Sequence, residues 1–83
     1  MAIVTLRYWA AAKEAAGVAE EKAEAATLAE ALDLAASQSD GLRRILPRCS
    51  FLISGDPVGT RPHAAIVLAQ DAVIEVLPPF AGG

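Results

Sequence analysis

An 83-residue chain with 54% hydrophobic and 20% charged residues is too apolar to be disordered and is the size of one compact domain, in which folding buries only about 60 to 65% of the unfolded surface. So small a core can hardly wall off a substrate pocket, which places function on an edge, a surface or a terminus. The net charge of −3, without a basic stripe, argues against nucleic acid as a partner, because phosphate binding needs clustered Lys and Arg.

In chain order, Ile3 to Trp9 alternates, with Val4, Leu6 and Tyr8 on one side and Thr5 and Arg7 on the other, which is the period of a strand. Ala10 to Ala16 is rich in the best helix former and stops at Gly17, a residue suited to the left-handed position after a helix end. Glu20 to Ala25 is a strand candidate despite the low strand preference of Ala and Glu. Thr27-Leu28-Ala29-Glu30 spells a capping box, so the main helix starts there. Leu28, Ala31, Leu32 and Ala35 then fall on one stripe of Leu28 to Gln38, which Ser39-Asp40-Gly41 breaks. Leu42 to Leu46 adds a turn before Pro47. Cys49 to Ser54 reads as a strand with Cys49, Phe51 and Ile53 facing one way, followed by the turn chemistry of Gly55-Asp56-Pro57. Gly59 to His63 is a second turn or loop, Ala64 to Ala69 is apolar but short, and Ala72 to Leu77 is the last strand before Pro78-Pro79. This order gives an α+β class, a small mixed sheet packed against a main helix.

Residues 1 to 40 carry Glu14, Glu20, Glu21, Glu24, Glu30, Asp33 and Asp40 against Arg7, Lys13 and Lys22, a net −4; residues 41 to 83 are +1. This reads as a solvated acidic face, with orientation of a charged partner as the alternative. Arg43, Arg44 and Arg48 read as a solvated helix face. A single cysteine, Cys49, excludes an internal disulfide and a cysteine-based zinc site; in an apolar strand it is a packing residue, not a reactive thiol. His63 has no carboxylate or thiol near it at ligand spacing and is expected to be exposed and inert. Of Tyr8 and Trp9, one is expected in the core and the other on a partner surface. With no signal-like segment and no apolar run near the roughly 20 residues of a membrane span, a cytoplasmic location is expected.

The most informative stretch is Val76-Leu77-Pro78-Pro79-Phe80-Ala81-Gly82-Gly83, where an apolar strand gives way to two prolines and then to residues with almost no side chain. Proline lacks the donor a sheet needs and favours extended backbone, so residues 1–77 are expected to form the domain and 78–83 a protruding tail. Extended, that tail reaches on the order of 20 Å, enough to enter a cleft in another protein. Gly82 and Gly83 leave the last carboxyl carbon open to attack, which suits chemistry on the carboxylate itself. A frayed terminus would account for two glycines alone, but not for their place behind Pro-Pro-Phe and a strand.

With that tail, the opening strand into an Ala-rich helix, and the helix start Thr27-Leu28-Ala29-Glu30-Ala31-Leu32, the sequence resembles the small subunit of molybdopterin synthase. That family belongs to the ubiquitin-like molybdopterin and thiamine sulfur carriers. The resemblance runs the length of the chain and implies the ubiquitin-like β-grasp fold. It implies a protein that is not catalytic alone: an adenylating enzyme uses ATP to activate the Gly83 carboxylate, a sulfur donor converts it to a thiocarboxylate, and the tail carries the sulfur into the large synthase subunit, in a heterotetramer, for transfer to a pyranopterin precursor. Gly83 would carry the sulfur, Gly82 and Ala81 would thread, Phe80 would fill an apolar recess, and Pro78 and Pro79 would aim the tail. No cofactor bound by the chain, no metal, no nucleic acid and no membrane are implied. The sequence departs from the family at Asp71-Ala72, where a Gly-Asp turn is usual.

Three other readings stand beside this one. The same carrier chemistry serves thiamine or cysteine biosynthesis; a ubiquitin-like modifier would join Gly83 to lysines of target proteins; and a plain interaction module would use its sheet edge and not need Gly82-Gly83.

Overall fold

The structure, a computed structural model, describes residues 1–79. Strand β1 (Ala2–Tyr8) buries alternate residues. Val4, Leu6 and Tyr8 are almost fully enclosed while Thr5 and Arg7 reach the other face, as the alternation dictates. Helix α1 (Ala10–Ala16) follows within two residues and ends at Gly17, whose φ of 79° lets its N–H close on the Lys13 carbonyl at 2.9 Å. Strand β2 (Glu20–Ala25) returns antiparallel to β1 and pairs Arg7 with Glu20 and Ala2 with Ala25. Its weak strand preference is overridden by a complete ladder with β1.

Helix α2 (Leu28–Gln38) begins where the capping box places it. Thr27 Oγ1 accepts from Glu30 N at 3.3 Å, and Glu30 Oε2 reaches back to the N–H of Ala26 at 3.1 Å, one residue earlier than the usual box. Leu28, Ala31, Leu32 and Ala35 are all buried. The break after α2 is shorter than Ser39-Asp40-Gly41: Ser39 alone is non-helical, and Asp40 and Gly41 open a third helix, α3 (Asp40–Ile45). Ser39 Oγ makes this possible by accepting from Leu42 N at 3.1 Å and donating to the Ala15 carbonyl at 2.8 Å, which caps α3 and ties it to α1. A β-carbon on Gly41 would stand 3.1 Å from that of Ala15, so glycine serves here as a close-packing residue.

A 3-10 turn at Leu46–Arg48 leads to β3 (Ser50–Ile53), and Cys49 precedes the strand instead of opening it. The hairpin turn falls on Ser54-Gly55, with φ of 48° and 91°, and Asp56–Pro57 form the short strand β4 where the sequence suggested a turn. Two successive positive φ values make the two-residue turn whose twist matches paired strands, and proline is tolerated in β4 because it is an edge. A second 3-10 turn, His63–Ala65, precedes a segment in which Leu68 N donates to Ala26 O at 2.9 Å and Leu28 N donates to Ile66 O at 3.0 Å. The last strand, β5 (Val73–Leu77), enters the middle of the sheet, parallel to β1 and antiparallel to β3.

The sheet order is β2-β1-β5-β3-β4. One face packs on α2 around Leu6, Tyr8, Leu28, Leu42, Ile74 and Val76, all under 3% exposed. No polar or charged side chain is buried in it among the described residues. A mixed sheet with its first and last strands parallel at the centre and one principal helix across it is the ubiquitin-like β-grasp arrangement.

Candidate functional site

Because β1 and β5 are parallel, they end at the same edge of the molecule, with Tyr8 opposite Val76 and Trp9 N donating to Val76 O at 3.2 Å. Strand β3 runs the other way, so its first residue, Ser50, lies opposite Leu77. The chain therefore leaves the sheet between the Trp9-Ala10 corner and the start of β3. Pro78 is buried and Pro79 is exposed, so the change from packed to exposed chain falls between the two prolines. Phe80, Ala81, Gly82 and Gly83 lie outside the described residues.

The surface beside this exit comes from the sheet face opposite α2. Arg7 sits between two carboxylates, its Nε 3.1 Å from Glu20 Oε2 and its NH1 4.0 Å from Glu75 Oε1. The Trp9 indole, 46% exposed, donates from Nε1 to the same Glu75 oxygen at 3.3 Å. Cross-strand pairing holds this row in register, since Glu20 is opposite Arg7, Arg7 opposite Glu75 and Glu75 opposite Leu52. Trp9 and Lys13 help to line a recess of about 390 Å³ next to it. Tyr8 points the other way, into the core, where its hydroxyl donates to Glu21 Oε1 at 2.8 Å. The division left open by the sequence is thus resolved, with Tyr8 as the core aromatic and Trp9 as the surface one. Trp9 continues the extended backbone of β1 with φ −116° and ψ 146°, so alternation from the buried Tyr8 faces it out, and Ala10, with φ 49°, then turns the chain into α1 at a cost of roughly 1 to 2 kcal/mol for an L-residue.

Cys49 is half-buried against the core, its Sγ donating to the Ile45 carbonyl at 3.3 Å. Burial raises its pKa, which disfavours the thiolate a nucleophile would need. His63 is half-buried, with its ring edge-on to Phe51 at 5.2 Å and 88°; it is a packing residue and not the exposed one the sequence suggested. Among the described residues no group of three or more His, Cys, Asp or Glu is arranged to hold a metal ion, and no helix is long and apolar enough to cross a membrane. The turn at Asp71-Ala72 forms without glycine. Ala72 N donates to Ala69 O at 3.2 Å, and Asp71 occupies the left-handed position with φ 67°, as the third residue of a type II turn demands. The Arg7, Glu75 and Trp9 array was not singled out from the sequence. Its signal was the phase of β1 and β5, since Arg7 and Glu75 stand at the positions between the core residues.

A search of curated proteins found no match. The solved structures include several of the same fold. The HVO 2177 protein of Haloferax volcanii is 26% identical with a TM-score of 0.82, over 99% of this chain and 87% of that one. Small archaeal modifier protein 1 of Methanosarcina acetivorans is 22% identical with a TM-score of 0.88, over 100% of this chain and 98% of that one. A chain from the protein-protein complex of subunits 1 and 2 of the molybdopterin-converting factor of Helicobacter pylori 26695 is 22% identical with a TM-score of 0.70, over 98% of this chain and 99% of that one. The ThiS family matches residues 6–83, from the first core strand to the last glycine, and the chain belongs to this family of ubiquitin-like sulfur carriers.

Proposed function

We propose that the chain is the sulfur carrier of a molybdopterin synthase, acting through its last residue. The observation that carries this reading is the family match running through Gly83, in a chain whose final strand ends beside an exposed tryptophan. A terminal carboxylate, with an ordinary pKa of about 3.3 to 3.7, is ionised at neutral pH and resists nucleophiles. Adenylation by a partner enzyme with ATP releases pyrophosphate and turns one carboxylate oxygen into part of a leaving group. Attack by sulfide then forms the carbon–sulfur bond, expels AMP and leaves a thiocarboxylate. In the synthase, that sulfur attacks a carbon of the pyranopterin precursor and displaces the oxygen substituent it carries, and water then cleaves the sulfur's bond to the Gly83 carbonyl to restore the carboxylate and leave the thiol on the pterin.

In this reading Pro79, Phe80, Ala81 and Gly82 enter a cleft of the large subunit, and Trp9 with the Arg7–Glu75 row docks against the rim of that cleft. The chain works in the cytoplasm, in a heterotetramer, and binds no cofactor of its own. Support for the partner comes from the converting-factor structure, whose chains are subunits 1 and 2 of one complex. A second reading is favoured by the likeness to small archaeal modifier protein 1: after the same adenylation, a lysine amine of a target protein displaces AMP and forms an isopeptide bond. Reconstitution with the large subunit and a pyranopterin precursor tests the first reading. Sulfur transfer to the precursor, lost on removal of Gly83, supports it; conjugates of higher mass in cell lysate without such transfer would replace it with the second. Transfer to a thiamine or cysteine precursor instead would keep the carrier and change its pathway.

A further inference from the structure

The end of the molecule away from the last residues of β5 carries a surface that the carrier chemistry does not use. Six large apolar side chains are exposed among the described residues, and three of them, Met1 at 84%, Val67 at 80% and Leu34 at 41%, meet there. Met1 lines two adjoining grooves, one of about 440 Å³ that includes Leu34 and one of about 260 Å³ that includes Val67. Glu30, Asp33, Leu34 and Ser37 follow one another at helical spacing along α2, so they share the face that forms the groove wall. Apolar side chains scattered singly over a surface need no explanation, but a contiguous patch marks an interaction site.

The rim gives this groove a sign. Glu24, Glu30 and Asp33 line it and no Lys or Arg does. None of the three carboxylates is in an ion pair among the described residues. An acidic rim repels phosphate backbones and anionic lipid headgroups. A second copy of the chain would have to bring cations of its own from outside the groove, such as Arg43, Arg44 or Arg48, in a head-to-tail contact that either closes into a ring or propagates into chains. The charge and the apolar floor together fit an amphipathic segment with apolar side chains on one side and Lys or Arg on its margins.

We propose that this groove is a second docking surface, which takes a basic amphipathic segment of a partner protein while the tail is engaged elsewhere. The seven residues of β1 separate it from the Trp9 corner by about 20 Å at roughly 3.3 Å per residue, so the two surfaces do not compete. The inference rests on the surface alone and is independent of the chemistry at Gly83.

A titration of the ¹⁵N-labelled chain with a synthetic amphipathic helix of Leu and Lys, followed by amide shifts, tests it. Shifts are expected at Glu24, Leu34, Ser37 and Val67 and not at Trp9 or Val76, with binding that weakens as salt rises. A matched peptide with Glu in place of Lys is expected not to bind. The double variant Asp33→Lys, Leu34→Ser, changed only at exposed positions, is expected to keep the spectrum of the folded chain outside the groove and to bind the Lys peptide at least tenfold more weakly. The proposal is overturned by unchanged affinity in that variant, by shifts centred on the Trp9 face, by equal binding of the acidic peptide, or by no binding at millimolar peptide. Concentration-dependent self-association through the groove would also overturn it in favour of a second copy.

Discussion

Tyr8 places a phenol in the core and its hydroxyl against Glu21. Burial first, then the hydrogen bond and charge of Glu21, push its pKa well above the ordinary value of 10.0. The folded chain thus keeps this proton at a pH where the unfolded chain loses it, so the stability it contributes is complete below about pH 10 and falls as pH rises beyond that. Tyr8→Phe should cost about 1 to 2 kcal/mol at neutral pH by leaving Glu21 without its donor. In urea melts the advantage of the wild type should then shrink as pH rises above about 10; an advantage that grew with pH would contradict the assignment. Trp9 differs in kind, since its indole is exposed and bonded only at the surface. Trp9→Ala should change stability by less than about 1 kcal/mol yet weaken binding of the synthase large subunit about tenfold or more, the scale of an aromatic anchor. Calorimetry on the two proteins would measure this, and unchanged affinity would remove Trp9 from the docking surface.

The helices and strands depend on a few backbone devices at their junctions. Ser39 caps α3 and ties it to α1 with one hydroxyl, so Ser39→Ala should cost about 1 to 2 kcal/mol, as a lost cap does, and thermal melting would show it. Asp71 holds a left-handed turn residue, so Asp71→Gly should be neutral or stabilising, whereas Asp71→Val should destabilise by about 1 to 2 kcal/mol. Chemical denaturation of the pair reads both, and equal stabilities would refute the strain argument. The same junctions mark the limit of what the sequence disclosed. The alternation in β1, the stripe on α2 and the capping box at Thr27 were readable because burial and spacing dictate them. The positive φ values at Ala10, Ser54 and Asp71 were not, because left-handed backbone is expected at glycine and is imposed here by the segments that each residue joins. The start of α3 at Asp40-Gly41 was missed for a related reason. Gly41 read as a breaker, while its use is to let α3 approach Ala15.

At the scale of the whole molecule, parallel pairing of the first and last strands sets the end of β5 beside the Trp9 corner, and the core of the described residues is built from side chains between Ala2 and Val76. Of the candidate site, the identity of the terminal residues was plain in the sequence, whereas the surface around the exit needed the sheet register to bring Arg7, Trp9 and Glu75 together. Since the fold owes its stability to the core beneath α2, removal of Gly82 and Gly83 should leave the melting temperature unchanged within error while abolishing sulfur loading. The most direct test of the central claim is the intact mass of the purified chain after incubation with ATP, sulfide and its adenylating enzyme, read beside a sample lacking Gly83. The account predicts a gain matching one oxygen replaced by sulfur at the C-terminus of the full chain and none in the truncated one. An unchanged mass of the full chain, or an equal gain in the chain without Gly83, would contradict it.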